Sequence, residues 1–130
     1  MNKILTGKQI KEMLFENTNE EKRDLIITLP TNIEWSDYEK ELKEVEDGRS
    51  VMNFKVSNFP TKTAVGKKCF ICYRGNILGW MEIVGFSEKE FGCSTTGIPW
   101  KGKFVERSGK FNYLKEPVPM KGFQGFRYVN

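Results

Sequence analysis

Glu82 is the one charged side chain in Leu78-Gly79-Trp80-Met81-Glu82-Ile83-Val84, a stretch otherwise apolar on both faces. Strand alternation puts it on one face with Trp80 and Val84. A carboxylate there is costly to bury alone, so it must pair with a cation or open into a cleft. The plainer reading is an ion pair with one of the many Lys or Arg residues. In a cleft, Glu82 could accept a hydrogen bond from a base edge or carry a proton as an acid/base. Were Glu82 the acid/base of a hydrolase, Thr95 or Thr96 would be its hydroxyl partner.

Cys69-Phe70-Ile71-Cys72 has the form of a C-x-x-C. On a strand, residues three apart point to opposite faces, so the two thiols do not converge on a metal. Cys93 alone does not complete a closed zinc site. The cysteines read as small core hydrophobes. An odd number of them, three, also argues against a disulfide framework. The chain has no histidine, which excludes Ser–His and Cys–His nucleophile schemes and removes the commonest zinc ligand. No metal or cofactor is expected.

The third group of residues lies in the tail. From Pro99 on, seven Lys or Arg residues stand against two acidic ones. Trp100, Phe104, Phe111, Tyr113, Phe123, Phe126 and Tyr128 are interleaved with them. Cations meet phosphates and rings stack on unpaired bases, so this mixture suits single-stranded or flipped nucleotides. Phe104, Phe111 and Phe126 are expected in the core. Trp100, near Gly97 and Pro99, is expected in a loop, and so are Phe123 and Gln124 between Gly122 and Gly125. The nucleic-acid-binding set is then Arg74, Trp80, Glu82, Trp100, Lys101, Arg107, Phe123, Gln124 and Arg127. Lys101, Arg107 and Arg127 would meet phosphate, Trp80 or Trp100 would stack, and Glu82 or Gln124 would read a base edge.

The elements that must position these groups divide the chain. Residues 1–47 hold 7 Lys or Arg against 12 Asp or Glu, net −5, while residues 48–130 hold 14 against 5, net +9. A basic half of that size points to an anionic partner, nucleic acid above all. The acidic front predicts two helices. Thr6 with Gln9 has the form of a capping box before Ile10, Met13 and Leu14. From Glu34 to Glu46, Trp35, Tyr38, Leu42 and Val45 recur at helical spacing, and Gly48 closes the run. Between the helices, Leu25 to Leu29 predicts a buried strand. The acidic face of the second helix should point away from an anionic ligand.

Beyond Gly48 the period changes to two. Met52, Phe54 and Val56 alternate with polar residues, and Lys68 to Arg74 reads as a central strand. Gly75-Asn76 predicts a hairpin turn, and the return strand runs from Ile77 to about Phe86. Short segments follow at Phe91 to Thr95, Lys103 to Arg107, Phe111 to Leu114 and Phe126 to Val129. Ten of the twelve glycines fall at or after Gly66, so many short strands and turns predict a small barrel.

The hairpin residues carry a resemblance. Gly66-Lys67-Lys68-Cys69-Phe70-Ile71-Cys72-Tyr73, a turn, then Gly79-Trp80-Met81-Glu82-Ile83-Val84 resemble the PUA-like superfamily, its ASCH and EVE branches in particular. The match covers about the middle quarter of the chain. The tail, from Phe104 to Gly109 and from Pro119 to Tyr128, looks like small phage- and prophage-encoded proteins. The resemblance implies a pseudo-barrel flanked by helices, with a cleft for RNA or for a modified base. Some ASCH proteins are small amidohydrolases of acylated nucleosides that use a Lys, Thr and Glu set. Asn19-Glu20-Glu21-Lys22-Arg23-Asp24 departs from the branch's "G-x-K-x-x-E-x-R" segment.

A chain of 130 residues with 38% hydrophobic and 29% charged residues fits one domain. The expected fold is α+β: a small mixed or antiparallel β-barrel, the PUA-like pseudo-barrel, with two flanking helices. An OB-like barrel is the runner-up. No apolar run suits a membrane span, and Met1 to Thr6 turns polar too soon for a secretory signal, so a cytoplasmic location is expected. The expected function is binding of RNA or a modified nucleobase. The alternatives are a hydrolase of modified nucleosides and a phage protein that binds a host protein through its acidic helix. Binding is preferred to enzymatic activity.

Overall fold

A computed structural model describes residues 22–91 and 100–129. Its elements are β1 (Leu25–Thr28), α1 (Trp35–Glu44), β2 (Met52–Val56), β3 (Lys68–Tyr73), β4 (Asn76–Phe91), β5 (Trp100–Pro119) and β6 (Phe126–Tyr128). The strands form one curled, mixed sheet in the order β2-β5-β4-β3-β1-β6. Neighbours are antiparallel except β1 and β3, which run parallel. β2 and β6 are its two edges, so the sheet curls as a half-barrel and the expected barrel is only partly realised. The helix expected after Thr6 lies outside the described residues.

Alternation along the strands sorts the side chains. Leu25, Ile27, Cys69, Ile71, Met81, Ile83 and Val105 are fully buried on one face of the sheet. Tyr38 and Leu42 of α1, and Val45 just after it, pack against them, on the apolar stripe that the sequence spacing predicts. Asp37 in the first turn and Lys43 in the last complement the helix dipole. Gly48, at φ 79°, follows the helix in a conformation that favours glycine.

The later segments expected as separate short strands are two long ones. β4 and β5 stay paired from Asn76↔Pro119 to Phe91↔Trp100 by absorbing register shifts at Ile77/Gly79, Trp80/Glu82 and Ile83/Gly85. Such bulges let long strands bend without breaking the ladder. Gly79 marks the tightest point: a Cβ there would lie 2.6 Å from the Phe111 ring and would overlap the Asn112 carbonyl oxygen. The β3–β4 turn sits one residue earlier than Gly75-Asn76. Arg74 (φ 47°) and Gly75 (φ 83°) both take positive φ, as a type I′ hairpin needs, and Asn76 already belongs to β4.

Candidate functional site

β3 and β4 set Lys68 opposite Glu82 and Phe70 opposite Trp80. Directly opposed residues share a face, and these four alternate with the core residues Cys69 and Met81. They therefore lie on the outer side of the sheet, away from α1. The Lys68 ammonium stands 4.8 Å from the centre of the Trp80 ring, within cation–π range. Glu82 is exposed and Trp80 is half-buried.

β5 supplies the opposite wall. Asn112 faces Trp80 and Ser108 faces Glu82. Between them β5 carries Gly109, Lys110 and Phe111, where β4 has Met81 alone. Gly109, at φ 88°, permits that bulge. Phe111 turns into the core and Lys110 stays exposed. The Asn112 side-chain amide donates to the Lys110 carbonyl at 3.0 Å and clips the bulge. The result is an open groove of about 340 Å³ lined by Lys68, Trp80, Glu82, Lys110 and Asn112, with Gly66 and Gly109 in its walls.

Two ammonium groups, one carboxylate and one indole can hold a phosphate and stack a flat ring. Among the described residues the groove has one hydroxyl, on Ser108, which is buried and donates to the Ser50 carbonyl at 2.5 Å. Thr95 and Thr96 lie outside the described residues.

The other expected site residues are scattered. Arg107 was expected to meet phosphate, but its position corrects this: it is 2% exposed and faces the core. Register with Ile83 and Met52 turns it toward α1, where its Nη1 donates to the Tyr38 hydroxyl at 2.9 Å. Its Nε has no hydrogen-bond partner among the described residues. Burial works against its charge, while Tyr38, Cys69 and Glu41 work for it, and its pKa rises on balance. Burial also pushes the Cys69 thiol up to about 11, with Arg107 opposing.

Arg74 clamps the β3–β4 turn to the chain ahead of α1. Its Nη2 donates to the Thr31 carbonyl at 2.9 Å and stands 3.7 Å from Glu34. Trp100 is the first residue of β5 and not a loop residue, as its pairing with Phe91 requires. Lys101 pairs with Glu90 at the far end of the β4–β5 arm, about 25 Å along the strands from Glu82. Phe123 and Gln124 occupy the loop before β6, as expected, and Gln124 is exposed. Arg127 in β6 is exposed on the same face as Trp80, because register links Arg127 to Ile26, Ile26 to Phe70 and Phe70 to Trp80.

Lys68, Lys110, Phe70 and Asn112 escaped the sequence reading of the site. Register and the β5 bulge bring them to it; Gly109, which separates the expected segments Lys103 to Arg107 and Phe111 to Leu114, sits inside β5.

Fold and groove together define an open, mixed sheet with an aromatic and cationic outer face. The chain matches no known family model, no curated protein and no solved structure. Among the described residues, no helix is long and apolar enough to cross a membrane. No group of three or more His, Cys, Asp or Glu residues among them could hold a metal ion.

Proposed function

We propose that this protein binds single-stranded nucleic acid, RNA in the first place, or an unpaired nucleobase, on the outer face of its sheet. The observation that carries this reading is the Lys68–Trp80 pair in a groove shared with Lys110 and Glu82. A base would stack on the Trp80 indole, a contact that contributes about 1–3 kcal/mol in single-strand binders. Lys68 and Lys110 would meet the flanking phosphates. Glu82 would accept from an exocyclic amino group, as carboxylates do from cytosine. The resemblance of the β3–β4 hairpin to PUA-like proteins supports a base-binding role, since that hairpin carries both Trp80 and Glu82.

The charge layout is mixed. α1 packs on the core face of the sheet, yet its Glu39, with Glu46 just after it, lines a hollow shared with Lys110, so the acidic front offsets part of the positive charge on the Lys110 side of the groove.

Fluorescence anisotropy with labelled single-stranded RNA and DNA, titrated at several salt concentrations, tests the proposal. The expected result is association that weakens steeply with salt and that Trp80→Ala lowers about 5- to 100-fold. Absence of salt-sensitive binding to either strand at low ionic strength overturns it.

A further inference from the structure

A second cation–aromatic pair lies at the other end of the row that contains Trp80. The Arg127 guanidinium stands 4.5 Å from the centre of the Phe123 ring. Arg127 is exposed and Phe123 half-buried. The loop that carries Phe123 is held against the outer face of the sheet. The Phe123 amide donates to Thr28 Oγ1 at 3.3 Å, and the Cys72 thiol contacts the Met120 carbonyl oxygen at 3.4 Å. Gly122 lies so close that a Cβ there would be 3.2 Å from the Thr28 methyl.

Register fixes how the two pairs relate. Arg127, Ile26, Phe70 and Trp80 are directly opposed, strand to strand, across β6, β1, β3 and β4. Three strand intervals separate the ends of this row, about 14 Å. A single base covers only one end. Stacked bases advance about 3.4 Å per nucleotide along a strand, so the gap takes about four steps, fewer where the backbone extends.

We propose that Phe123 and Arg127 form a second base-binding subsite, and that the ligand is a single strand of about three to five nucleotides that spans both pairs, not a free nucleobase or nucleoside. This rests on the nucleic-acid reading above and names which form of that ligand the face accepts. Trp80 and Phe123 stack one base each. Lys68 and Arg127 neutralise the phosphates beside them, and Phe70 lies along the path between.

The test is equilibrium binding of fluorescein-labelled oligouridylates of two to eight nucleotides, with uridine monophosphate as an unlabelled competitor and oligothymidylates in parallel. Affinity is expected to climb steeply to about five nucleotides and then level off, with uridine monophosphate a weak competitor. Phe123→Leu, which keeps an apolar side chain on the loop but removes the ring, should weaken hexamer binding about 5- to 100-fold and leave dimer binding unchanged. Phe123→Tyr should bind as the parent does. Arg127→Gln should lower the salt slope for the hexamer by about one. Hexamer binding that Trp80→Ala weakens and Phe123→Leu does not would remove the second subsite and leave the proposed function standing. So would a monophosphate that competes as well as the hexamer. No binding at any length would overturn both.

Discussion

The Arg107 guanidinium donates to the Tyr38 hydroxyl at 2.9 Å, and both residues are buried between α1 and β5. No carboxylate among the described residues reaches ion-pair distance of Arg107. A cation so placed depends on its few hydrogen bonds, because leaving it unsolvated and unpaired is costly. Tyr38→Phe is expected to cost about 2–3 kcal/mol of stability. Arg107→Met removes the buried charge at similar length and should be neutral or stabilising by about 1 kcal/mol. In the Arg107→Met background, Tyr38→Phe should cost well under about 1 kcal/mol. Urea unfolding of the four proteins checks this. Equal costs of Tyr38→Phe in both backgrounds would show that the hydroxyl does not serve the cation.

Glu82 gives a prediction with an unusual sign. It is the acidic group in a groove that also holds Lys68 and Lys110. Glu82→Gln removes repulsion toward phosphate, so affinity for oligouridylate should rise by a few-fold. Preference for cytosine over uracil should fall, since the carboxylate is the acceptor for an exocyclic amine. Lys68→Gln and Lys110→Gln should each reduce the salt slope by about one. Competition between oligocytidylate and oligouridylate reads the first effect, and salt titrations read the second.

The buried thiol of Cys69 makes stability depend on alkaline pH. Its pKa is pushed up from 9.0 to about 11 in the folded chain. Above pH 9 the unfolded chain has released this proton while the folded chain keeps it. Stability is therefore fully present below about pH 9 and falls as pH rises toward 11, by up to about 2–3 kcal/mol. Cys69→Ala should flatten that part of the pH profile relative to the parent in denaturant unfolding. The same burial should keep Cys69 unmodified by iodoacetamide at pH 8 until the protein is unfolded, which mass spectrometry of labelled peptides can follow.

Gly79→Ala should destabilise by about 2–3 kcal/mol, because the new methyl meets the Phe111 ring and the Asn112 carbonyl. Gly48→Ala is the contrasting case. Nothing lies within 4 Å of a Cβ at Gly48, and only its φ of 79° opposes substitution, so about 1 kcal/mol is expected. Thermal unfolding of the two variants side by side separates steric overlap from backbone strain. Equal losses would contradict the close approach at Gly79.

Local patterns carried much of the architecture. Leu25 to Thr28 and Met52 to Val56 were legible because one period determines them, and the β3–β4 hairpin was legible to within one residue, at Gly75-Asn76 instead of Arg74-Gly75. The α1 stripe of Trp35, Tyr38, Leu42 and Val45 was legible for the same reason. The unity of β4 and of β5 was not. Gly85, Gly102 and Gly109 resemble strand ends in a sequence, whereas here they accommodate bulges or close contacts inside long strands. Arg107 was misread because exposure of a cation is a usual tendency that tertiary register overrode. Glu82, with Trp80 beside it, stands out because a lone charge in an apolar strand is visible without a fold. Lys68 and Lys110 join the candidate groove only through strand pairing.

β1 lies between β3 and β6, with Ile26 opposite Phe70 on one side and Arg127 on the other. During synthesis, β1 emerges from the ribosome first among these strands, and its partners follow late. Until Phe126–Tyr128 have cleared the exit tunnel, one margin of β1 stays an open row of amides and carbonyls, able to capture a stray strand. Assembly of the sheet thereby waits for Phe126–Tyr128, about a hundred residues after β1, and chaperone contact should concentrate on Leu25–Thr28 in the nascent chain.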